Sequence, residues 1–177
     1  LKAEKLVQSF CRKKKINYGI LRYFNIAGSS LNGKIGLINK SDHLFKNFSR
    51  EIIKKKPILK IYGTDYNTPD GSCIRDFIHV LDIAEIHLKV LKKISNFKKS
   101  KILNCGYGKG TSVLEVAEEF KKQCSKAVNI IKLPKRKGDI GKIIASNDKL
   151  KKFIKWKPKY NKLSEIVKSC IKWEKKQ

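Results

Sequence analysis

The chain has 177 residues, 41% of them hydrophobic, and a formal net charge of +27. That length and apolar fraction suffice for one sizeable domain and exclude a disordered chain. The charge makes nucleic acid the first partner to consider, but the distribution argues against it: lysines are spread over every element, arginines are few, and RNP, zinc-finger and helix-turn-helix signatures are absent.

The cysteines (Cys11, Cys73, Cys105, Cys124, Cys170) are scattered, odd in number and free of any C-x-x-C pair. That usage suits reduced thiols in a cytoplasmic protein rather than a disulfide frame or a zinc site. No apolar run approaches the length of a membrane span. Methionine is absent even at position 1, so the opening Leu1-Lys2-Ala3-Glu4 reads as a cut from a longer protein.

In chain order, Leu1 to Lys15 is expected to be a helix, with Ala3, Leu6, Val7, Phe10 and Cys11 on one stripe. Ile16 to Asn25 reads as a strand of a parallel sheet, followed by a loop at its carboxyl end, where α/β sheets bind ligands. Ser41 or Asp42 is expected to cap a helix running to Lys55. A strand over Ile58 to Tyr62 then enters a turn closed by Pro69-Asp70-Gly71. The next strand, Cys73 to Val80, alternates: Cys73, Arg75, Phe77 and His79 share one face, and Ile74, Ile78 and Val80 the core face.

A helix from Leu81 to Ile94, a strand from Lys101 to Cys105 and a helix from Ser112 to Cys124 follow. Ser112 and Glu115 have the spacing of a capping box. Strands at Val128 to Leu133 and Lys142 to Ala145 precede a small helix to Ile154 and a final helix from Leu163 to Trp173.

Gly106-x-Gly-x-Gly110 lies between a strand and a helix, but its spacing is not Gly-x-Gly-x-x-Gly and no acid-ended strand follows. A tight turn is expected there. Arg136 and Asp139 read either as a surface ion pair or as a cation and an acceptor for phosphate and ribose. His43, His79 and His87 lack metal-ligand spacing, and no nucleophile elbow appears.

Several stretches nonetheless match one family in order. They are Leu21-Arg-Tyr-Phe-Asn25 with Ala27-Gly28, and Asp42-His-Leu44. Ile61-Tyr-Gly-Thr-Asp-Tyr-Asn-Thr-Pro-Asp-Gly71 runs into Ile74-Arg-Asp-Phe-Ile-His-Val80 and Asp82. Asn104-Cys-Gly106, Arg136-Lys-Gly-Asp139 and Trp156-Lys-Pro158 complete the set. On these residues the chain resembles the extended short-chain dehydrogenase/reductases, in their UDP-hexose 4-epimerase branch. Related nucleotide-sugar dehydratases and decarboxylases are the alternative within enzymes, and a Lys-rich nucleic-acid-binding module the alternative outside them.

The resemblance implies an α/β fold: the last part of a doubly wound, Rossmann-like parallel sheet plus a small α/β substrate-binding domain. Residues 1–28 and 72–106 would belong to the former, 29–71 and 107–177 to the latter. It implies NAD as cofactor, interconversion of UDP-glucose and UDP-galactose, a homodimer through a helix pair including Leu1 to Lys15, and no membrane partner. The catalytic Tyr-x-x-x-Lys pair and most of the NAD site would lie upstream, leaving this chain inactive alone.

By the same resemblance, Arg75 and Arg136 would clamp the diphosphate and Asp139 would take a ribose hydroxyl, with Lys137 and Gly138 in the same loop. Lys60, Ile61 and Tyr62 would line the uracil. Asn25, His43 and Leu44 would contact the phosphates and sugar, Phe24 would border the nicotinamide, and Ile143 would face the sugar 2-position. Asp42-His43 departs from the Asn-Asn or Asn-His usual in the family, and an acidic Asp42 beside a diphosphate is unfavourable unless it points away.

Overall fold

The computed structural model describes residues 1–38, 43–94 and 100–177. Helix α1 (Lys2–Lys13) leads into β1 (Gly19–Tyr23) and β2 (Asn25–Ala27), then α2 (Leu44–Ile52) and β3 (Ile58–Tyr62). Next come β4 (Ile74–Arg75), β5 (Phe77–His79), α3 (Val80–Ile94) and β6 (Lys101–Cys105). The chain closes with β7 (Thr111–Ser112), α4 (Val113–Lys122), β8 (Asn129–Leu133), β9 (Lys142–Ile143), α5 (Asp148–Ile154) and α6 (Leu163–Glu174).

Strands β1 and β6, β2 and β5, and β3 and β8 pair in parallel. Parallel partners require crossovers, and helices supply them, so this is the expected α/β architecture. The short strand β4 sits between β7, antiparallel, and β9, parallel. Among the described residues no helix is long and apolar enough to cross a membrane.

Two expected strands are each broken in two. The segment read as Ile16 to Asn25 is interrupted at Phe24, and that read as Cys73 to Val80 at Asp76. The second break has a clear cause. The Asp76 carboxylate is fully buried and accepts hydrogen bonds from the amides of Tyr107 (2.9 Å), Gly108 (2.8 Å) and Ala145 (3.2 Å), while its own carbonyl takes Asn25 N–H. Asp76 has the parity of the expected core residues Ile74 and Ile78, so its inward carboxylate keeps the period-two alternation through the break. The expected cap at Ser41 or Asp42 lies outside the described residues; α2 begins at Leu44, with His43 before it.

Other local signals hold. Ser112 and Glu115 form both halves of a capping box on α4. Gly71 takes φ +77°, and a Cβ there would overlap the Thr64 carbonyl, so the turn needs glycine.

One buried cluster joins Phe45 and Phe48 of α2 with Phe77, Phe120 and α6; the ring contacts Phe45–Phe77 (5.0 Å) and Phe48–Phe120 (5.6 Å) are edge-on. A second cluster gathers Ile78, Ile86, Leu103, Leu150 and Trp156. Tyr107 packs against both, and its hydroxyl donates to Asp82 (2.6 Å), which also takes the amides of Lys159 and Tyr160.

Lys46 of α2 and Glu174 of α6 form a buried ion pair at 2.7 Å, each side chain 7% exposed. Removing one partner strands a charge in a low-dielectric site, so Glu174→Ala should cost about 3–5 kcal/mol in urea unfolding. The double variant Lys46→Met, Glu174→Leu should recover most of that loss.

His79 shares its strand face with Cys73, Arg75 and Phe77, but α6 covers that end of the face and the imidazole is a fully buried structural group. Its Nδ1 accepts from the Leu81 amide (3.1 Å), which places the ring proton on Nε2, facing Ser169 Oγ (3.3 Å). Burial lowers its pKa, against smaller opposing effects of Asp82 and Glu165. The fold therefore keeps His79 neutral while the unfolded chain takes up a proton near pH 6.5. Stability from this site is full above that pH and falls below it, by up to ~1.4 kcal/mol per pH unit. Urea midpoints between pH 7.5 and 5.5 should show the fall, with a shallower slope in His79→Asn.

Candidate functional site

A cleft of about 460 Å³ opens between α2, β3, β4 and the loop after β8. Its depth comes from alternation in β3: Leu59 and Ile61 turn into the core, fully buried, so Lys60 and Tyr62 turn into the cleft. Cys73, Arg75 and Phe77 line it from the β4–β5 segment, as their shared face predicts; His79, on the same side, lies beyond the cleft against Ser169 of α6. Helix α2 contributes His43 and Leu44 at its start and Asn47, Arg50 and Glu51 along one side.

Of the expected site residues, Asn25, His43, Leu44, Lys60, Tyr62, Arg75, Arg136 and Asp139 meet on this cleft. The others do not line it. Ile61 is core, Lys137 and Gly138 are exposed at the loop apex, and Phe24 lies at the break between β1 and β2. Ile143 pairs with Arg75 in the β4–β9 ladder. Asp42 lies outside the described residues.

Arg75 and Arg136 thus reach one cleft from positions far apart in sequence. The Arg75 side chain is 13% exposed; Nη1 donates to the Ile74 carbonyl (3.0 Å), and Nη2 stands 3.9 Å from Asp139. So long an ion pair orients the guanidinium without saturating its donors. The Arg136 guanidinium stacks on the Tyr62 ring, 4.0 Å from its centroid.

Arg50, Lys54 and Lys60 add to the positive field, against the carboxylates Glu51 and Asp139. A polyanion about the size of a nucleotide suits such a cleft. His43 has a buried Nδ1 without a hydrogen-bond partner, and burial lowers its pKa more than the Ile26 carbonyl raises it. It therefore offers a neutral imidazole at neutral pH.

Tyr66 does not line the cleft; its ring packs over Gly63 and Gly141, with Lys135 Nζ 4.7 Å from the ring centroid. Burial and the Cys73 thiol push its phenol up to about 12. Sequence reasoning missed Asn47, Arg50, Glu51 and Lys54 of the cleft wall, a polar stripe at i, i+3, i+4, i+7 that in sequence reads like any solvent-facing helix side.

The Gly106–Gly110 loop is not a phosphate cradle. Its Tyr107 and Gly108 amides are spent on Asp76, and a Cβ at Gly106 would stand 2.6 Å from Asp76 Oδ2. This is the tight turn expected. Among the described residues no group of three His, Cys, Asp or Glu side chains could hold a metal.

Parallel βα units and a cationic cleft at their edge define an α/β domain of the nucleotide-binding kind. The chain belongs to the NAD dependent epimerase/dehydratase family, whose pattern matches residues 1–106. It is 39% identical over 156 residues to a UDP-glucose 4-epimerase of Azospirillum brasilense, covering 88% of this chain and 45% of that protein. It is 34% identical over 171 residues to the UDP-glucose 4-epimerase of Rhizobium meliloti, covering 96% and 52%.

Among solved structures, UDP-glucose-4-epimerase from Stenotrophomonas maltophila with bound NAD and formylated UDP-arabinopyranose superposes with a TM-score of 0.91 at 29% identity, over 98% of this chain and 52% of that one. The Bifidobacterium longum enzyme in complex with NAD+ and UDP gives 0.88 at 30%, over 98% and 52%. The chain spans about half the length of the curated relatives it matches.

Proposed function

We propose that this chain supplies the UDP-sugar cleft of an enzyme that interconverts UDP-glucose and UDP-galactose at C4. The observation that carries the reading is the convergence of Arg75 and Arg136, with Tyr62 and Asp139, on one cleft. Guanidinium forks suit a diphosphate, an aromatic ring suits a base, and a carboxylate suits a ribose hydroxyl. Gripping the nucleotide while leaving the hexose loose lets remote binding energy position the reacting carbon.

NAD, bound in both solved relatives above, is the hydride acceptor in this reading. The residues present do not themselves cradle a dinucleotide, since Asp76 fills the one glycine turn between a strand and a helix that resembles such a motif; Phe24 is proposed to border the nicotinamide. The sequence contains no Tyr-x-x-x-Lys pair, and this chain alone is proposed to be inactive. Within it, residues 1–28 and 72–106 form the sheet side and 29–71 with 107–177 the substrate side. Lys137, Gly138 and Ile143 act at the margin of the cleft.

The test is conversion of UDP-galactose by the longer protein, with titration of UDP into this chain. Conversion without UDP binding by the cleft would refute the assignment.

The protein is proposed to be cytoplasmic, in keeping with five free cysteines, and to dimerise through α1, where Leu6 and Phe10 are 72% and 58% exposed. Phe10→Glu should shift the protein toward monomer in sedimentation; an unchanged mass in both proteins would remove α1 from the interface.

A further inference from the structure

The groups assigned to the nucleotide are partnered with one another. The Arg136 guanidinium, assigned to the diphosphate, covers a face of the Tyr62 ring, assigned to the base. A ring face under a cation cannot also stack a base, and a guanidinium held on a ring is not aimed at a phosphate. Resting on the reading above, we propose that the Arg136–Tyr62 stack makes the cleft select whole nucleoside diphosphates over their parts. Taking up the base displaces Arg136, and the displaced guanidinium then finds its counter-charge on the diphosphate of the same ligand.

The flanking structure suits such a swing. Residues 134–140 are exposed, Gly138 has φ +87°, and a Cβ there would meet nothing within 4 Å. Tyr62, by contrast, is fixed in β3, whose pairing with β8 sets Tyr62 opposite Leu133. Arg75 stays in place, held by β4 and the Ile74 carbonyl, so the diphosphate has one fixed and one arriving cation. A bare pyrophosphate must break the stack without a base to replace it on the ring. A bare nucleoside must displace a cation that gains no phosphate in return.

The experiment is calorimetric titration of the protein with UDP, uridine and inorganic pyrophosphate. Tyr62→Leu removes the ring that holds Arg136, so pyrophosphate should bind about three- to tenfold tighter while UDP binds more weakly. Tyr62→Phe keeps the ring and should give no such gain. Arg136→Gln frees the ring face, so uridine should bind about threefold tighter.

If pyrophosphate binds Tyr62→Leu no better than wild type, or gains as much in Tyr62→Phe, the stack does not compete with ligand and the inference fails, although wild type still binds UDP. If wild type does not bind UDP, the nucleotide reading itself is overturned and the inference falls with it.

Discussion

Asp76→Ala should destabilise the protein by about 2–4 kcal/mol, because the buried Ala145 amide loses its acceptor and the part-buried bonds from Tyr107 and Gly108 are lost with it. A typical domain has only about 5–15 kcal/mol in all, so such a loss should appear as a clearly lowered urea midpoint. Asp76→Asn separates charge from geometry. Its single oxygen can still serve Gly108 and Ala145, which share Oδ2, but its amide then faces the Tyr107 N–H as a second donor. It should lose less than alanine and more than a surface substitution. Urea unfolding of the three proteins decides; an Asp76→Ala loss within 1 kcal/mol would mean that other acceptors take over those amides.

Arg75→Ala should weaken UDP binding about 10- to 100-fold, the worth of one or two hydrogen bonds to a charged group. Arg75→Lys should recover only part of the loss, since an ammonium keeps the charge but not the planar fork. Arg136→Ala should lose less, because Arg136 is exposed and solvent screens its charge. Calorimetry with UDP, together with circular dichroism to confirm that each variant folds, gives the ranking. Affinities within twofold of wild type for Arg75→Ala would remove it from the diphosphate.

Much of this was legible because the deciding signals are local. The Asp70-Gly71 turn, the Ser112–Glu115 box and the alternation that sorts Lys60 and Tyr62 from Leu59 and Ile61 each depend on a few neighbouring residues. The Cys73-Arg75-Phe77 face was likewise readable from period two. What the local sequence does not announce is that α6 covers His79, through Ser169 90 positions away, or that the Asp76 carboxylate meets amides 31, 32 and 69 positions away. The Lys46–Glu174 pair, 128 positions apart, was invisible for the same reason. The cleft side of α2 was overlooked because polar residues on a helix ordinarily face water. Only β3, brought alongside by the fold, turns that side into a wall.

Helix α2 works on two sides at once: Phe45, Phe48 and Ile52 anchor it in the interior, and Asn47, Arg50 and Glu51 look into the cleft. Exchanges on the polar side can therefore retune what the cleft accepts while the anchor is left untouched. Relatives that share this scaffold could diverge in ligand preference by a handful of such exchanges, with folding little burdened at each step.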